Sequence, residues 1–199
     1  ASVIENYSKA QDDWTRSAII AASTERAISA IEASLASPNT VRIDSFVSAL
    51  LSAALPANAG KLVNTCATAD AKADALKIII LQGIVQQSNA TPALTPELTA
   101  ALKKLLAQPA LAAAALPLVV KWDKAGALAT EVKAQIASLT AKLEDKAAAM
   151  GDRITAAKAL IGIGGGASAL VVGALARPDS PAALQAAIDA CANDGGGTV

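Results

Sequence analysis

The chain has 199 residues, of which 53% are hydrophobic and 2% aromatic, and its 17 basic and 17 acidic side chains leave no net charge. This composition is too apolar for a disordered chain, and the absence of a basic excess argues against a nucleic-acid partner. The sequence contains no histidine, which excludes Ser-His-Asp and Cys-His catalysis and histidine-ligated metal sites within it. We therefore expect no enzyme, no catalytic residue, no metal site and no cofactor in this chain.

The first half of the chain is predicted to form short amphipathic helices, because apolar residues recur there at helical spacing. The first helix follows Asp12 and Asp13, whose carboxylates suit the exposed N–H groups of a first helical turn, and its apolar side is predicted at Trp14, Ala18, Ala21 and Ala22. The next four helices have their apolar stripes at Ile28, Ile31 and Leu35; at Ile43, Val47, Leu50 and Leu51; at Leu62, Val63 and Cys66; and at Leu76, Ile79, Ile80, Gly83 and Ile84.

The second half continues the same pattern. Thr95 and Pro96 predict a helix start, because a hydroxyl cap followed by proline at the first helical position is typical of one. Pro117 is expected to interrupt the next helix, over residues 111–120. The stripes of the other helices are Leu98, Leu102, Leu105 and Leu106; Leu128, Val132, Ile136, Leu139 and Leu143; Ile154, Ala157, Leu160 and Ile161; Leu170, Val171, Ala174 and Leu175; and Leu184, Ala187, Ile188 and Cys191.

These segments amount to about eleven helices, or five pairs and one more, with roughly 27 to 42 residues per pair, which is the range of HEAT and armadillo repeats. One such pair cannot bury its own apolar face and must stack on its neighbours. The predicted fold is all-α: a single domain over residues 1–199 forming a right-handed α-solenoid of about five antiparallel helix pairs. A compact helical bundle is the alternative.

Two segments near the C-terminal end could be interpreted as functional motifs instead of as helices joined by a turn. Residues 162–167 fit the glycine spacing of a dinucleotide-binding loop, but that loop follows a strand, and residues 153–161 have the pattern of an amphipathic helix. We therefore expect a glycine-rich turn between two helices. The uncharged residues 159–176 reach the lower length limit of a membrane span, but their five glycines favour two short helices and no span.

Three acidic groups and two cysteines are candidates for a chemical role, and a purely structural role is favoured for each. Asp12-Asp13, Glu144-Asp145 and Asp152 lie at predicted helix ends, where carboxylates cap a helix or face water rather than act as a catalytic pair. Cys66 and Cys191 are far apart and outside any Cys-x-x-Cys pair. Two buried thiols are favoured, and a disulfide is the alternative.

The candidate interaction residues are Trp14, Arg16 and Trp122. Tryptophan is enriched at the energetic centres of protein interfaces, and these two are the only tryptophans of the chain. Tryptophan is also a common packing residue at the start of a helix, and packing is the favoured interpretation of both. Arg16 belongs to the same Asp-Asp-Trp-Thr-Arg segment as Trp14.

Residues 153–163 and 169–181 resemble a HEAT repeat, a family in which an arginine, here Arg153, begins the first helix and a Pro-Asp turn leads into the next repeat. Residues 12–18 and 74–84 are similar to the HEAT segment of large bacterial proteins that join a sugar-dehydrogenase-like propeller, helical repeats and a C-terminal cytochrome c domain. The sequence holds no propeller and no haem-attachment motif, so no catalytic residue carries over from this resemblance. The resemblance alone implies a periplasmic or secreted location.

The leading functional prediction is a non-catalytic helical-repeat scaffold that binds a partner protein or holds flanking domains of the same polypeptide. The alternative, which comes from the resemblance, is the helical section of a secreted or periplasmic haem-containing sugar-dehydrogenase-like oxidoreductase whose catalytic domains are not in this sequence. A third hypothesis is a carrier of an apolar ligand between alanine-lined helices. The chain begins at Ala1 and ends in a glycine-rich tail, so we expect a mature or excised piece of a larger protein.

Overall fold

A computed structural model describes residues 2–38, 42–87, 91–164 and residue 171. Within these residues the chain forms α-helices and two short 3-10 helices but no strand, which confirms the predicted all-α class. The α-helices of this described part are α1 (Val3–Lys9), α2 (Asp13–Ser23), α3 (Ala27–Ala36), α4 (Ile43–Ala54), α5 (Ala59–Thr68), α6 (Asp74–Gln87), α7 (Pro96–Leu106), α8 (Ala112–Trp122), α9 (Ala129–Glu144) and α10 (Met150–Ile163). The 3-10 helices are Thr24–Arg26 and Ala71–Ala73.

The chain divides into two compact units, Ala1–Leu111 and Ala112–Val199. The first unit contains α1 to α7, and α8 to α10 belong to the second. The predicted single domain and the choice between a solenoid and a bundle stay predictions. The predicted helices around residues 170–175 and 184–191, together with Cys191, lie outside the described residues, except for Val171, which is buried.

Helices of the first unit contact one another in a regular order. Neighbours along the chain pair as α1 with α2, α3 with α4, and α5 with α6. Alternate helices also touch, since α3 contacts both α1 and α5, α5 contacts α7, and α4 contacts both α2 and α6. Each helix pair therefore packs on the pair that follows it.

The core of the first unit is built from aliphatic side chains, as the composition predicts. Leu50, Leu62, Ile80 and Leu102 have no exposed surface. The closest approach in this core involves Gly83 of α6, where an added Cβ would lie 2.5 Å from the Cδ1 atom of Leu51 in α4. Gly83 thus lets α6 lie directly against α4, and most of the predicted stripe residues of these helices are buried.

Helix α1 was missing from the prediction. The Ser2 hydroxyl accepts a hydrogen bond from the N–H of Glu5 at 3.2 Å and begins the helix, which has only seven residues. Its buried side chains are Ile4 and Tyr7, and the Tyr7 ring lies 4.8 Å from the ring of Phe46 in α4. Because a peptide of two turns is not stable alone, this tertiary contact is what holds α1.

The second unit corrects the prediction for Pro117. Helix α8 runs through Pro117 without interruption, although proline removes one backbone donor and crowds the preceding turn. Gly162 of α10 lies beside the ring, since a Cβ added there would come within 3.4 Å of the proline Cγ. That distance is an ordinary van der Waals contact, and α8 and α10 pack against each other here.

Helix α10 ends two residues later than predicted, because Gly162 and Ile163 of the predicted glycine-rich turn are still helical. Helix α10 extends to Ile163 and is followed by Gly164, whose φ of 75° lies in the left-handed region that favours glycine. The element before the glycines is therefore a helix and not the strand that a dinucleotide-binding loop requires. The rest of the predicted turn, residues 165–167, lies outside the described residues.

Candidate interaction surface

Trp14 occupies the first turn of α2, and Asp12 fixes where that turn begins. One carboxylate oxygen of Asp12 accepts a hydrogen bond from the N–H of Thr15 at 2.7 Å, and the other accepts one from the Thr15 hydroxyl at 2.8 Å. These bonds, the backbone one first, lower the pKa of Asp12 below its usual value. The prediction that the acidic pair caps this helix is confirmed for Asp12, whereas the Asp13 carboxylate pairs with the Arg16 side chain.

The Trp14 side chain is 82% exposed, the largest value among the exposed large hydrophobic residues of the described chain. The packing interpretation is therefore wrong for Trp14, and the predicted apolar side of this helix, which also includes Ala18, Ala21 and Ala22, faces solvent instead of the core. Four further residues of α2 are exposed at helical spacing from it, and we call the set the α2 face: Trp14, Ser17, Ala18, Ala21 and Ala22.

The α2 face carries no charge and extends for about 12 Å along the helix from Trp14 to Ala22. On the opposite side of the helix, Ser23 is buried and Ile19 is half-buried, so α2 packs on its own unit through that side. A large indole at one end and a ridge of alanines beyond it give a surface that a helix or extended segment of another protein can approach closely.

Arg16 holds the start of α2 in place. Its Nε atom donates to the carbonyl oxygen of Ala10 at 3.3 Å, and its Nη2 atom donates to that of Gln11 at 3.2 Å. Its Nη1 atom also pairs with Asp13, and only 17% of the side chain is exposed. Arg16 thus joins the end of α1 to the first turn of α2, which positions the neighbouring Trp14.

Trp122, the third candidate, lies at the end of α8 in the second unit and is 3% exposed. The packing interpretation is confirmed for this tryptophan. The two tryptophans belong to different units, and only Trp14 presents its ring to solvent.

The other acidic groups also lie at helix ends, as predicted. Asp145 follows the last residue of α9 and accepts a hydrogen bond from the N–H of Ala147 at 2.8 Å. Asp152 is exposed in the first turn of α10. Among the described residues, no group of three or more Cys, Asp or Glu side chains is arranged to hold a metal ion.

Cys66 is a free, buried thiol of α5, as predicted. Burial raises its pKa to about 12, although the nearby charge of Lys77 acts in the opposite direction.

The burial of Lys77 was not predicted from the sequence. This side chain is 1% exposed, and its Nζ atom lies 2.8 Å from an Asp74 oxygen. Its spacing from Ala73, Ile80 and Ile84 is helical, so the apolar stripe of α6 includes a charged residue that the pattern would have assigned to solvent.

No protein-family model matches the chain, and the comparisons found no curated protein and no solved structure that is significantly similar to it. In the part of the chain that the structure describes, no helix combines the length and apolar character needed to cross a bilayer.

Proposed function

We propose that the chain is a non-catalytic helical-repeat scaffold that binds a partner protein, or a flanking domain of its own polypeptide, through the α2 face. The observation that carries this proposal is the exposure of Trp14 on an uncharged helix surface. Tryptophan, tyrosine and arginine supply most of the binding energy at protein interfaces. A solvent-exposed indole can therefore contribute binding energy when a partner buries it.

The energy available at this residue is substantial. A tryptophan buries on the order of 200 Å² of surface, which at about 25 cal/mol per Å² corresponds to about 5 kcal/mol before the costs of association. The alanines beside it add little area but let a partner backbone come close. One indole anchor with a flat apolar ridge fits a partner that contributes a helix or a strand.

The proposal includes a HEAT-like, right-handed stack of antiparallel helix pairs. The order of contacts in the first unit supports it, because each helix pair touches the next one through alternate helices. A second support is that Arg16 and Arg153 occupy the same place in their helices and both bind a carbonyl oxygen at the end of the preceding helix. Small-angle scattering of the whole chain tests the stack: an elongated profile supports it, and the profile of a compact globule overturns it in favour of a bundle.

The interaction itself is tested by photo-cross-linking in cells that make the full protein. A benzophenone amino acid replaces Trp14 in one variant and Lys104, an exposed residue of α7, in the control. We expect one discrete protein adduct from position 14 and none from position 104. Adducts of equal yield and mass from both positions, or none from position 14, would contradict the α2 face as the binding surface.

A further inference from the structure

A groove of about 810 Å³ lies in the first unit, apart from the α2 face. Its walls are the C-terminal turns of α3 and α5, and the start of the 3-10 helix Ala71–Ala73 closes one side. Glu32 of α3 and Lys61 of α5 form an ion pair of 3.0 Å between these two helices. The volume is in the range of sites that bind small ligands or single side chains of a partner.

Two hydroxyl groups of this groove, those of Thr65 and Thr68, have already used their donors. The Thr65 hydroxyl donates to the carbonyl oxygen of Lys61 at 3.0 Å. The Thr68 hydroxyl donates to the carbonyl oxygens of Asn64 and Thr65, each at 3.1 Å. Because each hydroxyl has one hydrogen, both oxygens can only accept hydrogen bonds from a ligand.

The charges and helix dipoles around the groove also favour a cationic ligand. Two helices, α3 and α5, end there, and a helix C-terminus carries partial negative charge. The charged side chains of the lining are Glu32, Asp70 and Lys72, and because Lys61 pairs with Glu32, the negative charge that a ligand can meet is that of Asp70, opposed by Lys72. One oxygen of Asp70 accepts a hydrogen bond from the N–H of Lys72 at 2.8 Å, and its carboxylate keeps further acceptor capacity.

We propose that this groove binds an arginine side chain of a partner polypeptide. A guanidinium group has five N–H donors, no acceptor and a permanent charge, so it complements a lining that combines Thr65 and Thr68 acceptors, an acidic side chain and two helix C-termini. The planar shape of the guanidinium also allows it to bond several acceptors at once, which the compact charge of an ammonium group does less well. This inference concerns a different surface from the α2 face, and it is independent of the proposal for that face.

The test is fluorescence anisotropy of the full chain with a labelled, terminally blocked heptapeptide that has two arginines among glycines and serines. Its control replaces both arginines with citrulline, which keeps the shape and removes the charge. We expect saturable binding of the arginine peptide, at least about tenfold weaker binding of the citrulline peptide, and weakening by salt. Absence of saturable binding up to about 5 mM peptide, or equal affinity for both peptides, would overturn the proposal.

Variants that change the charge of the lining test whether the peptide binds in the groove. Asp70→Asn keeps an acceptor for the N–H of Lys72 and removes the charge, and we expect the dissociation constant to rise about three- to fivefold. Lys72→Gln removes the cation that a guanidinium would meet, and we expect the dissociation constant to fall by a similar factor. Glu25→Gln, at an exposed acid outside the groove, is the matched control and leaves the affinity unchanged.

Opposite effects of the Asp70 and Lys72 variants cannot arise from partial unfolding, which would weaken binding in both. If neither variant differs from Glu25→Gln, the site is not the groove and the proposal fails. Spermidine at matched charge serves as a competitor: displacement as efficient as that by unlabelled peptide would contradict recognition of guanidinium.

Discussion

The Nε atom of Arg153 donates a hydrogen bond to the carbonyl oxygen of Leu143 at 3.1 Å and so joins the first turn of α10 to the last turn of α9. Arg16 makes the same type of bond from α2 to the carbonyl oxygen of Ala10, which follows α1. Each arginine is the fourth residue of its helix, and each binds where the helix dipole of the preceding helix favours a cation. We call this feature the arginine clamp; it recurs in both units and accounts for the arginine on which the HEAT resemblance depends.

Removal of the arginine clamp is expected to destabilise the unit that contains it. Arg153→Ala loses a charge-assisted bond and leaves the Leu143 carbonyl without this donor, so the free energy of unfolding should fall by about 1 to 3 kcal/mol. Arg153→Lys keeps the charge but not the donor geometry and should recover part of the loss. Urea denaturation measures both. Lys133→Ala, at an exposed cation of α9, should change stability by less than about 0.5 kcal/mol, and an equal effect of Arg153→Ala would contradict the role of the clamp.

Gly83→Ala tests the close approach of α6 to α4. The new Cβ would lie 2.5 Å from the Leu51 Cδ1 atom, and Leu51 is buried and cannot turn away freely. Overpacking should exceed the gain in helix propensity, for a net loss of about 1 to 2 kcal/mol in thermal or urea unfolding. Gly60→Ala is the control, because its nearest neighbour would be 3.6 Å away, and it should stabilise the protein by about 0.5 kcal/mol. Equal effects of the two changes would rule out the tight packing.

The ion pair between buried Lys77 and half-buried Asp74 predicts an asymmetry between single and double variants. Asp74→Ala leaves the ammonium group buried without its partner and should lower the free energy of unfolding by about 1 to 3 kcal/mol. Adding Lys77→Met to Asp74→Ala replaces the pair with an apolar side chain and should restore most of that loss. Asp44→Ala, at an exposed acid in the first turn of α4, controls for the helix dipole. A double variant as unstable as Asp74→Ala would show that Lys77 does not depend on this charge.

The Cys66 thiol is expected to resist alkylation in the native protein. Burial raises its pKa from 9.0 to about 12, so the reactive thiolate is scarce and the sulfur is inaccessible. In a Cys191→Ser background, iodoacetamide should label Cys66 rapidly in denaturant and very slowly without it. The raised pKa also stabilises the fold below pH 9, and that contribution is lost as the pH rises towards 12, because only the unfolded state then releases the proton. Fast native labelling at neutral pH would contradict the burial.

Local signals in the sequence predicted the elements that depend on a few adjacent residues. Helix α7 begins at Pro96 after Thr95, and the Thr95 hydroxyl accepts from the N–H of Leu98 at 3.2 Å, as the cap pattern predicts. The same holds for Asp12 at the start of α2. Most of the predicted stripes were also correct, because burial follows helical periodicity whatever the partner helix is.

The failures depend on residues far apart in the chain. The break at Pro117 is predicted from the effect of proline on its own helix, whereas α8 continues through it and packs on α10, which is distant in the chain. Helix α1 depends on the contact between Tyr7 and Phe46, which are 39 positions apart. Packing is predicted for Trp14 because tryptophan is common in packing at a helix start, but among the described residues of its unit this side of α2 is exposed. Neither arginine clamp has a signal in the sequence beyond an arginine near a helix start.

The most direct test of the scaffold proposal is the affinity of the partner identified by cross-linking at position 14, measured with purified components. Trp14→Ala should raise the dissociation constant by a factor of about 30 or more, equivalent to about 2 kcal/mol, and leave the free energy of unfolding within about 0.5 kcal/mol. Lys104→Ala should change neither quantity. A dissociation constant that is the same for the wild type and Trp14→Ala would contradict the proposal that this chain binds its partner through the α2 face.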